Sequence, residues 1–187
     1  MIFSINNIFS PPTTESVDSI TVTTYATEDT SQPIDENSAL VEGLTPKTMD
    51  FSMSSTSSFN VNQEVGIVFT FTLADTVTKD DTFEVRFPAG SVINLLTQLS
   101  FSFGIDNANY DSGTTTLTIT QSTASPTRAA LYVASITVIN YLTPASTKTT
   151  DPIEFVILNN GFEKMKGSNT ITALPNSYSM TMSTSTT

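Results

Sequence analysis

The sequence predicts an all-β protein, an antiparallel β-sandwich, on three observations. Ser and Thr together fill about 30% of the 187 positions, far above ordinary usage. Thr is β-branched and suits a pleated, half-exposed surface, and both residues disfavour helix interiors. Apolar and polar residues also alternate with period two along most of the chain, and Gly, Pro, Asn and Asp interrupt the alternation at short intervals.

In order, the first strand runs from Asp18 to Tyr25, and Met49 to Thr56 gives another. Val65, Ile67, Phe69, Phe71 and Leu73 form one strongly apolar face. Phe83, Val85 and Phe87 do the same, and Pro88-Ala89-Gly90 stops them. Val92 to Gln98 is the only stretch that reads as a helical turn. Leu99, Phe101, Phe103 and Ile105 read as a strand that leads into a turn-rich segment from Asp106 to Gly113. Thr116 to Thr120 carries Leu117 and Ile119 inward, and Ala129 to Leu142 carries Ile136 and Val138. Ile153, Phe155 and Ile157 follow, and Ile171 with Leu174 closes the series. Seven or eight short strands with turns between them suit a sandwich. The twelve Phe and five Tyr fall mostly on inward positions and read as core, with Tyr110 alone in an expected loop.

Composition excludes several functions. The formal net charge is −11, and the seven basic residues are scattered singly. Nothing there neutralises a phosphate backbone, so no nucleic acid is expected as a partner. An anionic membrane surface repels such a chain, and no apolar run approaches the roughly 20 residues of a membrane span. Met1 to Asn7 lacks a basic region and a sustained apolar stretch, so it does not read as a signal peptide. With no His and no Cys, neither a Ser–His nor a Cys–His pair can exist. No Ser-x-x-Lys or Gly-x-Ser-x-Gly occurs, so no enzyme, catalytic residue or cofactor is expected.

Internal repetition is more informative. The strand pattern of Asp18 to Tyr25 recurs at Asp151 to Leu158. Val41-Glu42-Gly43-Leu44-Thr45-Pro46 corresponds to Ile171-Thr172-Ala173-Leu174-Pro175, and Met49 to Thr56 to Tyr178 to Ser185. The offset stays near ~130 residues, the length of one sandwich domain. The expected organisation is therefore a complete module over 47–176. Residues 1–46 then resemble the end of a preceding repeat, and 177–187 the start of a following one. Isolated hairpins are marginal in water and lone strands leave backbone groups unpaired. Each flank is expected to find a partner, in a longer tandem array or in neighbouring subunits.

At this point the chain resembles the tandem Ig-like β-sandwich repeats of microbial and protist cell-surface proteins and extracellular filaments. The residues that carry the resemblance are Phe69-Thr70-Phe71-Thr72-Leu73 and the strand ending in Phe87-Pro88-Ala89-Gly90. It covers most of 17–187. It implies an Ig-like fold, an extracellular or cell-surface location and self-assembly into a homopolymer, by strand addition or in tandem, with glycosylation. The second expectation is an adhesin module, binding a glycan or protein ligand through the Asp106–Ser112 loop or a sheet edge.

Glycan attachment is the expected covalent chemistry. No Asn-x-Ser/Thr sequon is present, since Asn169-Thr170-Ile171 and Asn176-Ser177-Tyr178 both fail at the third position. Pro-flanked segments supply candidate O-glycan acceptors: Thr13 and Thr14, then Ser122, Thr123, Ser125 and Thr127, then Thr143, Ser146 and Thr147. Two acidic sets have oxygen ligands suited to calcium, Asp106/Asn107/Asn109/Asp111 and Asp75/Asp80/Asp81. Asx residues form plain turns as readily, and that reading is preferred, so no metal is expected. Lys79, Lys148 and Lys164 are candidates for an internal Lys–Asn isopeptide bond of the kind that stabilises some microbial pilus sandwiches. They read as solvated surface lysines.

Overall fold

The structure, a computed structural model, describes Thr14, 20–25, 33–39, 45–93 and 99–176. Over these residues the chain forms strands β1 (Ile20–Tyr25), β2 (Pro33–Ala39), β3 (Lys47–Thr48), β4 (Asp50–Ser55), β5 (Glu64–Thr72), β6 (Asp81–Arg86) and β7 (Val92–Ile93). After these come β8 (Ser100–Phe101), β9 (Ile105–Asp111), β10 (Thr116–Gln121), β11 (Val133–Leu142), β12 (Ile153–Asn159) and β13 (Phe162–Asn169). The all-β expectation holds: no helix is present among the described residues.

Two sheets face each other. One has the order β3-β13-β12-β6-β10-β9; the other runs β4-β5-β11-β7, with β8 also on β11. Every pairing is antiparallel except the short β3–β13 contact. The period-two pattern sets the interior. On β6, Phe83 and Val85 are buried while Thr82, Glu84 and Arg86 face outward; β5 buries Ile67, Phe69 and Phe71. Leu117, Ile119, Ile136, Val138, Phe155 and Ile157 complete the core. The outer face of the six-stranded sheet carries a charge ladder instead. There Arg86 pairs with Glu84 at 2.8 Å and Glu163 at 2.5 Å, and Lys166 with Glu154 at 2.7 Å.

Three expectations about elements are corrected. The segment from Asp106 is the edge strand β9, in register with β10 through Tyr110↔Leu117 and Ala108↔Ile119. Ladder hydrogen bonds and the burial of alternate residues outweigh the turn preference of its Asx residues. The Leu99–Ile105 strand is broken, because the backbone turns after Phe101 through Gly104, at φ 74°. Ile171 and Leu174 do not form a strand; Ile171 is buried in the core and Leu174 makes one isolated bridge to Asn60. The last strand among the described residues is β13, which ends two residues before Ile171. Val92 and Ile93 are strand, while the rest of the expected helical turn lies outside the described residues.

β1 and β2 form a separate two-stranded antiparallel sheet, Ile20 opposite Ala39. The stretch expected to repeat the β1 segment, Asp151 to Leu158, lies largely in β12, which forms an antiparallel hairpin with β13.

Candidate functional site

Chemistry concentrates at one end of the six-stranded sheet. Asp81 is the first residue of β6 and occupies the inward face, in phase with Phe83 and Val85. It is 1% exposed. A carboxylate there is tolerated only with partners for its oxygens. Thr78 donates its backbone N–H to Oδ2 at 2.8 Å, and Lys164 Nζ approaches the same oxygen at 3.1 Å. Asn159 donates Nδ2–H to Oδ1 at 2.8 Å, from the cross-strand position directly opposite Asp81. Gln121, 1% exposed, donates its carboxamide to the carbonyl of Thr78 and so braces the turn.

The way Lys164 reaches this interior is local. Ile157 pairs with Met165 and Leu158 with Glu163, so Lys164 is the extra residue of a β-bulge. A bulge re-aims the side chain of its inserted residue. Strict alternation would send Met165 inward and Lys164 to solvent; instead both are buried, Lys164 at 7% exposure and Met165 at 0%. The reading of Lys164 as a solvated surface lysine is corrected on this observation. Lys79 and Lys148 are exposed, and Lys79 makes only a loose 3.5 Å pair with Asp80.

The two acidic sets do not converge. Asp106, Asn107, Asn109 and Asp111 lie along a strand rather than around a loop. Asp106 accepts the Thr123 N–H, and Asp111 accepts the Gly113 N–H and the Thr114 hydroxyl. Asp75 binds Lys47 at 2.6 Å, Asp80 is at the surface, and Asp81 is in the core. Tyr110 is not a loop residue: it is half-buried, its hydroxyl donates to the Ser91 carbonyl at 3.1 Å, and its ring meets Phe87 edge-on.

No family model matches the sequence, and no curated protein matches it. A solved structure of BslA, described as a bacterial hydrophobin, superposes with a TM-score of 0.45 at 12% identity, over 69% of this chain and 98% of that one.

The candidate glycan acceptors divide by exposure. Thr123, Thr127, Ser146 and Thr147 are exposed, and Thr14 and Ser122 are half-buried. Ser125 is half-buried and its hydroxyl donates to the Phe103 carbonyl. Thr143 is corrected: it is 2% exposed, accepts the Gln63 N–H at 2.8 Å and donates to the Asn60 carbonyl at 2.5 Å. Its hydroxyl is not available on the folded surface. Thr13 lies outside the described residues. No helix among the described residues is long and apolar enough to cross a membrane.

Proposed function

We propose that this chain is a non-enzymatic structural module of an extracellular filament or surface coat, joined to its neighbours by strand complementation or in tandem. The observation that carries the reading is the β1–β2 hairpin. Its first strand has the sequence pattern of β12, yet β1 and β2 pair only with each other among the described residues. In the sandwich, β12–β13 is flanked by β6 on one side and β3 on the other. A two-stranded sheet gains little stability alone, so β1–β2 is suited to a six-stranded sheet that another module supplies.

The strand order supports an Ig-like reading of the module. An Ig sandwich places its first, second, fifth and fourth strands in one sheet and its third, sixth and seventh in the other. β4-β5-β11-β7 and β6-β12-β13 follow that order, and the β9–β10 hairpin is an addition at the β6 edge. Exposed Thr123, Thr127, Ser146 and Thr147 are the proposed O-glycan carriers, on loops that leave the sheets uncovered.

Electron microscopy of the native material tests the proposal. The expected result is a regular fibre or array with the axial repeat of one module. Dispersed monomers at all concentrations would sink it.

A further inference from the structure

We propose that Lys164 and Asn159 condense into an intramolecular isopeptide bond, with Asp81 as the proton-transfer group. This inference stands independently of the filament reading. Three observations carry it. The amine is inside the sandwich because of the bulge, with 8% of its side chain exposed, and the Asp81 side chain is 0% exposed. The amine and the carboxamide contact the same carboxylate, one on each oxygen, at 3.1 and 2.8 Å. The cluster is held from outside: Thr78 fixes Oδ2, Gln121 braces the Thr78–Asp81 turn, and Asn159 is pinned in register opposite Asp81.

Such an arrangement has a chemical consequence. Lysine is a nucleophile only as the free amine, and a neighbouring base supplies that form. Asp81 takes one proton from the Lys164 ammonium along the contact that already joins them. The carboxamide, turned about its Cβ–Cγ bond, then presents Oδ1 to the new carboxylic O–H, which polarises the carbonyl. Nζ attacks Cγ. The Nζ–Cγ bond forms, the Cγ–Nδ2 bond breaks, and the leaving nitrogen takes the second Nζ proton to depart as ammonia. One amide N–H remains, Asp81 keeps the proton it took, and charge balances because the ammonium and carboxylate are both consumed. No oxidant or cofactor enters.

Energetics favour the step. A buried ion pair carries the desolvation cost of two charges, which its mutual attraction repays only in part. An amide bonded to a carboxylic acid carries no net charge. Holding the groups together also replaces a collision between separate molecules with a unimolecular step. The ring closed, from Asn159 to Lys164, is short, so constraint of the unfolded chain is a minor gain. Its effect is to lock the β12–β13 turn next to the edge where β3 docks.

Mass spectrometry of the folded, unreduced full chain tests this. The expected intact mass is lower by one ammonia. Trypsin should yield Thr149–Lys166 as one peptide, uncut after Lys164, with no backbone fragments arising between Asn159 and Lys164. Lys164→Arg and Asp81→Asn should each restore full mass, and circular dichroism checks that each variant is folded. A full-mass wild-type protein cut after Lys164 overturns the proposal and leaves a plain buried ion pair. An ammonia loss that still permits cleavage at Lys164 and reverses in mild base overturns it too, because it marks a succinimide at Asn160-Gly161.

Discussion

Phe71 and Phe155 meet across the middle of the sandwich with ring centroids 4.3 Å apart, one from each sheet. Around them Phe51 stacks on Phe155 at 5.8 Å and on Phe69 at 5.7 Å, and Phe83 lies 6.1 Å from Phe155. Phe155 is thus the ring that three other strands converge on. With no cysteine in the sequence to staple the layers and no helix packed on them among the described residues, this aromatic cluster is a main source of cohesion between the sheets.

Phe155→Ala should accordingly cost about 3–5 kcal/mol, the range for truncating a fully buried aromatic. A urea titration followed by circular dichroism reads it as a large drop in midpoint with an unchanged slope. A loss of less than about 1 kcal/mol, well below that range, would mean that the two sheets do not pack through this ring.

Gly167 is where the strap Met49–Phe51, which carries the chain from β3 into β4, crosses β13. A Cβ there would stand 2.5 Å from the Phe51 Cβ and 3.2 Å from the Met49 carbonyl oxygen. Met49 N–H also donates to the Lys166 carbonyl at 2.9 Å, so the strap cannot slide away freely. Gly167→Ala should destabilise by about 1–3 kcal/mol, as overpacking does. A stabilising or neutral effect would show that β4 is free to move from β13.

Those residues also show what was legible beforehand. β5, β6, β10 and β11 stand out in the sequence because inward apolar residues alternate with more exposed ones, and β12 stands out as an apolar run, Phe155 to Leu158, that is buried throughout. β9 was hidden because an edge strand needs few apolar residues, and its Asn and Asp mimic a turn. β13 was hidden by its bulge, which places Lys164 and Met165 inward in succession and erases the period-two pattern. One signal was present: Asn160-Gly161, at φ 51° and 84°, is the two-residue hairpin turn that positive φ at both positions demands. It fixes β13 immediately after β12. The Asp81–Asn159–Lys164 cluster was beyond reach because its members join through cross-strand register and a bulge, not spacing.

Thr143→Val tests the corrected acceptor. The substitution keeps shape but leaves the Gln63 N–H without its side-chain acceptor in a buried site, at about 1–3 kcal/mol. Valine at exposed Thr147 should change stability by less than about 0.5 kcal/mol. Equal effects at the two positions would place Thr143 on the surface after all.

Asp75 gives a pH dependence whose sign can be worked out. Burial acts to raise its pKa, but the Lys47 hydrogen bond, the Thr76 N–H and the Lys47 charge act against it, and the carboxyl sits below the ordinary aspartate value. A depressed folded-state pKa stabilises above the unfolded value, and that contribution disappears as pH falls through the folded one. Asp75→Asn should therefore be less stable than wild type near neutrality, and the gap should close with acidification below about pH 4. Urea midpoints across that range measure it. A gap independent of pH would mean that the Lys47 contact is not an ion pair in solution.

On the proposed reading, removal of residues 1–45 separates the module from its means of joining. The remaining chain keeps β3, β4 and the whole sandwich core. Besides the bonds within the β1–β2 hairpin itself, the hydrogen bond to the sandwich lost among the described residues is that of the Thr14 N–H to the Glu163 carbonyl, at 2.8 Å. One backbone bond is worth about 1 kcal/mol net, so the truncated protein should stay folded and cooperative, with a midpoint close to wild type. Assembly should fail if β1–β2, which pairs only with itself among the described residues, is what a neighbouring module completes. Electron microscopy beside a urea titration reads both halves of the expectation. Normal fibres from the truncated chain would remove the hairpin from the joining mechanism and direct attention to the open β4 and β9 edges. An unfolded truncated chain would instead make β1–β2 part of this module's own stability.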